Sequence, residues 1–217
     1  MVRSRMIIAR SVWGAKPASL PTTPMRLPAT QVFIHHSVTP VSQDPYADMR
    51  VIEAIGLQRF GQFSYSYVIH PEGHVLEGCG LMRGAHTAKR NSTSFGICHV
   101  GNYEERSPKA QQIDATRQLI HDLTVAGHLI PGADIQGHRE VYSTACPGSK
   151  LFALLDVIRH PWEGAAVPED PNVVKAQAPI VAFEATPTGK GYWIVTADGA
   201  VFAFGDATYH GRVDAPR

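Results

Sequence analysis

The sequence predicts a mixed α/β fold, a central β-sheet flanked by helices, with a short β-hairpin repeat at the C-terminus. Three observations predict it. Short apolar runs bounded by proline or glycine recur between residues 31 and 136. Two longer segments among them, 45–60 and 107–126, carry apolar residues near helical spacing. Past residue 160 the pattern gives way to prolines and alanines. Strands interleaved with helices pack as layers, helix on sheet.

Each element has a local reason. Residues 31–36, QVFIHH, are an apolar run between Pro28 and Pro40 and read as a strand. From Pro45 to Phe60, the residues Met49, Ile52, Ile55 and Phe60 recur at close to the helical period. Residues 65–69 and 75–77 read as two strands around the turn Pro71-Glu72-Gly73. Another strand covers 94–100 and stops at Gly101. Ser107 before Pro108 predicts a helix start, a hydroxyl cap followed by proline at the first helical position. That helix runs to about Ala126, with Ile113, Leu119, Ile120 and Leu123 inward and Gly127 ending it. A short strand at 134–136 and a last helix at 149–159 complete a first domain, 1–160. Pro161, Pro168, Pro171 and Pro179 mark 161–179 as a semi-rigid linker. In the remaining 180–217, Asp198-Gly199 between two aromatic-rich runs predicts a hairpin. A lone hairpin is marginal in water, so it must pack on the first domain, pair with another chain or continue a repeat array.

Composition narrows the function. With 44% hydrophobic and 18% charged residues, the 217-residue chain has enough apolar mass for a packed core. A net charge of +1 lacks the basic imprint of phosphate-driven binding, so no nucleic-acid partner is expected. Cys79, Cys98 and Cys146 are too few, and odd in number, for a disulfide framework. The apolar run at 6–9 is too short for a secretory signal, and no stretch reaches membrane-spanning length.

The chemistry gathers on histidine. His35 and His36 end the first predicted strand, where successive side chains face opposite ways, so one of the two serves a given site. His138 and Cys146 share the loop GHREVYSTACPG. Two imidazoles and a thiolate make three protein ligands with a fourth position open, the pattern of a catalytic zinc. The alternative is hydrogen-bonded strand-end histidines and a small core cysteine.

Six blocks, in order, tip the balance: Trp13-Gly14-Ala15, Phe33-Ile34-His35-His36-Ser37, Tyr65-Ser66-Tyr67-Val68-Ile69, Gly84-Ala85-His86, Ser94-Phe95-Gly96-Ile97, and the loop from His138 through Cys146 to Pro147-Gly148. With them, residues 10–160 resemble the type 2 N-acetylmuramoyl-L-alanine amidases, a group that includes a phage lysozyme and animal peptidoglycan recognition proteins. The resemblance implies zinc held by His35, His138 and Cys146, and cleavage of the amide joining N-acetylmuramic acid to L-alanine in peptidoglycan. It places the catalytic tyrosine at Tyr65. Thr144 falls where phage members carry lysine and many animal enzymes threonine, and His86 matches a substrate-groove position. His36 is then a groove residue or a group that orients a ligand. The rival is a non-catalytic recognition module; such relatives typically lose the cysteine ligand, which is retained here. A catalytic domain, no leader and a terminal repeat imply an endolysin-like protein that accumulates in the cytoplasm and is released to the wall; the rival is an extracellular bacterial remodelling enzyme whose leader is missing. The C-terminal repeat resembles one found in actinobacterial wall proteins. Its Tyr192, Trp193, Phe202, Phe204 and Tyr209 would stack on sugars or form the hairpin's own apolar face.

Overall fold

A computed structural model describes residues 7–160, 180–188, 192–204 and 207–208. The chain divides into two compact units, 1–165 and 166–217. Linker positions 161–179 and Tyr209 lie outside the described residues.

The first unit is built on a five-stranded sheet in the order β3-β2-β4-β1-β5. Its strands are β1 (Ala29–His36), β2 (Tyr67–Ile69), β3 (Val75–Glu77), β4 (Ser94–His99) and β5 (Leu129–Gly137). β1 runs parallel to both β4 and β5, and β2 parallel to β4, while β3 closes one edge antiparallel to β2. Strands covered on both faces read as unbroken apolar runs, and all six residues of β4 are buried.

Alternation along the strands sorts the core into two layers. Val32, Ile34, Phe95, Ile97 and Ile69 meet Ile113, Leu119 and Leu123 of α3 (Ala110–Val125) on one side. Val68, Cys98 and Val100 meet Met49 and Ile52 of α2 (Pro45–Phe60), with Trp13 of the short α1 (Arg10–Trp13), on the other. α2 starts where Asp44 accepts the Tyr46 N–H at 2.8 Å ahead of Pro45, and stops at Gly61 with φ 68°. Met49 and Ile52 point inward, but Ile55 and Phe60 remain about 40% exposed and wall a groove instead.

Several elements differ from expectation, among them the short α1, which the sequence did not announce. α3 begins at Ala110, not after Ser107; its cap is Lys109, which makes no side-chain cap bond and whose ammonium reaches across to Glu72. β5 has nine residues, because pairing that begins at Leu129 is interrupted by a bulge near Gly132 (φ 72°) and resumes at Asp134. The last helix breaks into α4 (Ser149–Phe152) and α5 (Leu155–Arg159). In the second unit β7 (Tyr192–Thr196) and β8 (Val201–Phe204) form the expected hairpin around Asp198-Gly199, but β6 (Ile180–Ala185) pairs with β7 to give three strands. A lone hairpin was the reason to expect self-association; a third strand removes it. No helix among the described residues is long and apolar enough to cross a membrane.

Candidate metal centre

Three neighbouring elements deliver the candidate ligands to the C-terminal ends of the parallel strands, where open α/β sheets place their sites. His35 sits one residue from the end of β1, held in register against Cys98 of β4, while the preceding Ile34 pairs with Gly137 of β5. His138 opens the 3-10 turn His138–Glu140 directly after β5. Cys146 returns on the same loop, which is closed by the Arg139 N–H on the Cys146 carbonyl at 2.9 Å. The Arg139 guanidinium also reaches the Ala145 carbonyl and pairs with Glu104 at 2.8 Å. Glu104 in turn accepts from the Ser149 N–H and hydroxyl at 3.0 and 2.7 Å, so it clamps the ligand loop to the 102–105 turn.

One ligand atom each of His35, His138 and Cys146 lies within 4.8 Å of the others. His35 Nδ1 is 3.6 Å from Cys146 Sγ. Donors about 2.0 and 2.3 Å from a shared tetrahedral centre stand about 3.6 Å apart, so this edge fits zinc. Burial lowers His35 well below the ordinary imidazole value, reinforced by His86 and His138. Burial lowers His138 as well. Both rings are therefore neutral near pH 7, as ligand nitrogens must be. Burial pushes the Cys146 thiol up to about 11, opposed by the His36 N–H and the charge of Arg139. A thiolate here calls for a cation.

The other expected residues gather around this group. All seven line one groove of about 820 Å³. The Tyr65 ring lies 5.2 Å from that of His35, and burial holds its phenol well above 10, with Cys98 and Cys146 adding to the shift. Thr144 Oγ1 accepts the Cys146 N–H at 3.2 Å. His86 packs edge-on to His35 at 5.3 Å, buried and pushed down to about 3 by desolvation. The His36 main-chain N–H points at Cys146 Sγ (3.4 Å), and its Nδ1 accepts the Tyr103 N–H at 3.2 Å. Glu140, two residues after His138, is engaged elsewhere: its carboxylate holds Arg159 and the Gly137 N–H.

Sequence reasoning missed two partners. Thr87 Oγ1 lies 3.4 Å from His35 Nε2 and 3.1 Å from His86 Nδ1, so one hydroxyl bridges the ligand's outer nitrogen and its neighbour. Ligating histidines use that second nitrogen to fix tautomer and ring angle. Its adjacency to the Gly84-Ala85-His86 block was the available signal. Glu104 offered none, since its role depends on residues 35 and 45 positions away.

The profile of the N-acetylmuramoyl-L-alanine amidase family (Amidase_2) matches residues 25–149. The chain is 34% identical over 160 residues to a mouse N-acetylmuramoyl-L-alanine amidase, covering 70% of this chain and 30% of that protein. It therefore spans under a third of the mouse protein's length. It is 31% identical over 155 residues to Drosophila melanogaster peptidoglycan-recognition protein SD, covering 69% and 83%. Among solved structures, wild-type Drosophila PGRP-LB superposes with a TM-score of 0.66 at 32% identity, over 70% of this chain and 92% of that one. Peptidoglycan recognition protein LE in complex with tracheal cytotoxin, a monomeric diaminopimelic acid-type peptidoglycan, gives 0.66 at 27% identity, over 70% and 92%. Matched over more than half its length, and with two histidines and a cysteine brought together at one groove, the chain belongs to the N-acetylmuramoyl-L-alanine amidase family.

Proposed function

We propose that this chain hydrolyses, with zinc, the amide bond between N-acetylmuramic acid and L-alanine in peptidoglycan. The observation that carries this reading is the convergence of His35, His138 and Cys146 on the floor of a groove that also holds Tyr65 and Thr144. Such an ion, when bound, polarises an amide carbonyl and lowers the pKa of coordinated water to about 7.

The chain's own residues do the rest. His35 and His138 present uncharged nitrogens, and the His36 N–H steadies the sulfur. Tyr65 keeps its proton at any physiological pH, so it serves as a donor to the carbonyl oxygen as negative charge gathers there. Thr144 accepts the Cys146 N–H and has its own hydroxyl proton left to donate into the groove. Ile55 and Phe60 form an apolar wall that excludes water from one side of a bound chain.

Relatives named as recognition proteins favour a second reading, a groove that binds muropeptides without cutting them. Digestion of defined muropeptides, followed by mass analysis with and without a chelator, separates the two. The amidase releases free stem peptide and intact glycan only with metal present. Muropeptides bound by zinc-loaded protein but left whole would establish the recognition reading instead.

A further inference from the structure

We propose that the open face of Tyr142 is the saccharide subsite of this groove, a platform on which the pyranose ring beside the scissile amide stacks. The proposal rests on the amidase reading above.

Tyr142 is 56% exposed yet well fixed. Its N–H donates to the His138 carbonyl at 3.1 Å, and its ring lies 17° from parallel to the His138 ring at 5.4 Å. One face is thus spent on a candidate ligand. The side chain also lines the groove. A large aromatic left so open on a short loop gains most when a flat, partly apolar body covers it.

Position selects that body. The rings of Tyr65, His35, His138 and Tyr142 are linked by successive contacts with centroid steps of 5.2, 4.6 and 5.4 Å. Tyr142 touches one candidate ligand, His138, and Tyr65 touches another, His35. In the substrate only an ether oxygen and one carbon separate the muramic ring from the carbonyl to be attacked, so the sugar must lie next to the metal group. The two ends of this series of contacts differ in charge. Arg59, the one guanidinium among the described residues that line the groove, acts on Tyr65, and that end best receives a peptide bearing carboxylates. Next to Tyr142 in the chain, the groove-lining Thr144 and Ala145 are uncharged, and the guanidinium that reaches the Ala145 carbonyl, Arg139, is neutralised by Glu104, which suits a neutral, hydroxyl-rich ring.

The test compares N-acetylmuramoyl-peptide with lactoyl-peptide, which keeps the same amide and lacks the sugar, using the zinc-loaded full chain. Tyr142→Ala is expected to lower kcat/KM on the sugar-bearing compound about three- to tenfold, mainly through KM, the usual scale for one aromatic stacking contact. On lactoyl-peptide it should change by less than about twofold, on the same scale. Tyr142→Phe should keep both rates. Zinc affinity, measured by chelator competition, and the visible spectrum of the cobalt-substituted protein should match the parent. Equal losses on both compounds, or a weakened metal site, would overturn the proposal and leave Tyr142 as a prop for His138. If the parent cuts neither compound, the amidase reading falls; calorimetric binding of the same two compounds then decides Tyr142 by the same contrast.

Discussion

Replacing Gly96 with alanine tests how the sheet supports the candidate metal centre. Gly96 lies in β4, and a Cβ built there would sit 2.4 Å from His86 Cγ and 2.7 Å from two further ring atoms. Ordinary carbon contacts are about 3.5–4.0 Å, so the overlap is roughly 1 Å. His86 has little room to retreat: it is buried, with the His35 ring at 5.3 Å and the Phe33 ring at 6.3 Å. The strain therefore passes to a candidate ligand. Overpacking of this kind costs about 1–3 kcal/mol. For a chain of this size that is a Tm drop of roughly 2–12 °C. A displaced orienting neighbour should also weaken zinc binding about ten- to a hundredfold. Scanning calorimetry and chelator competition read the two effects. The decisive control is the His86→Ala background, where the added methyl group meets open space and Gly96→Ala should cost almost nothing. A full cost in that background, or an unchanged Tm in the parent, would refute the reasoning.

Other outcomes follow from the same geometry. Tyr65→Phe should lower kcat roughly ten- to a thousandfold with zinc content unchanged, measured on a muropeptide; undiminished turnover would remove the phenol from the chemistry. Chelation should lower the Tm of the parent, since a ligand at a hundred times its Kd contributes about 2.7 kcal/mol, and Cys146→Ser should abolish the zinc-dependent shift. Burial holds His86 and His99 near 3 in the folded protein, against the ordinary 6.5. Between those values the unfolded chain takes up protons that the folded one refuses. The metal-free protein should thus hold its full stability from this source above about pH 6.5 and lose about 1.4 kcal/mol per pH unit for each such histidine on acidification. Urea unfolding at pH 7, 6 and 5 measures the slope; a flat profile would contradict it, and His99→Gln should remove one share.

The candidate ligands were legible because each sits in a short block whose chemistry is local: a strand ending in His35-His36, and a loop with His138 and Cys146. What surrounds them was less so. Thr87 and Glu104 act on residues 52 and 35 positions away, and no window of sequence shows such a meeting. Ser107-Pro108 satisfies every local rule for a helix start, yet α3 waits until Ala110, after a lysine whose side chain spans to Glu72. The strand expected at 134–136 is the end of a longer one, because β5 passes through Pro131-Gly132 as a bulge. Ile55 and Phe60 keep helical spacing with the core residues Met49 and Ile52 but end in the groove wall, because spacing gives a helix face and not what covers it.

The two halves of the centre join positions 111 apart in the chain, His35 from the first strand of the sheet and Cys146 from a loop beyond its last. A nascent polypeptide therefore has no grip on metal until nearly the whole first unit has emerged and the sheet has closed between β1 and β5. An ion held there would be a late clasp: it would fasten a topology already reached and do little to guide the search for it. Zinc should accordingly slow unfolding far more than it speeds refolding.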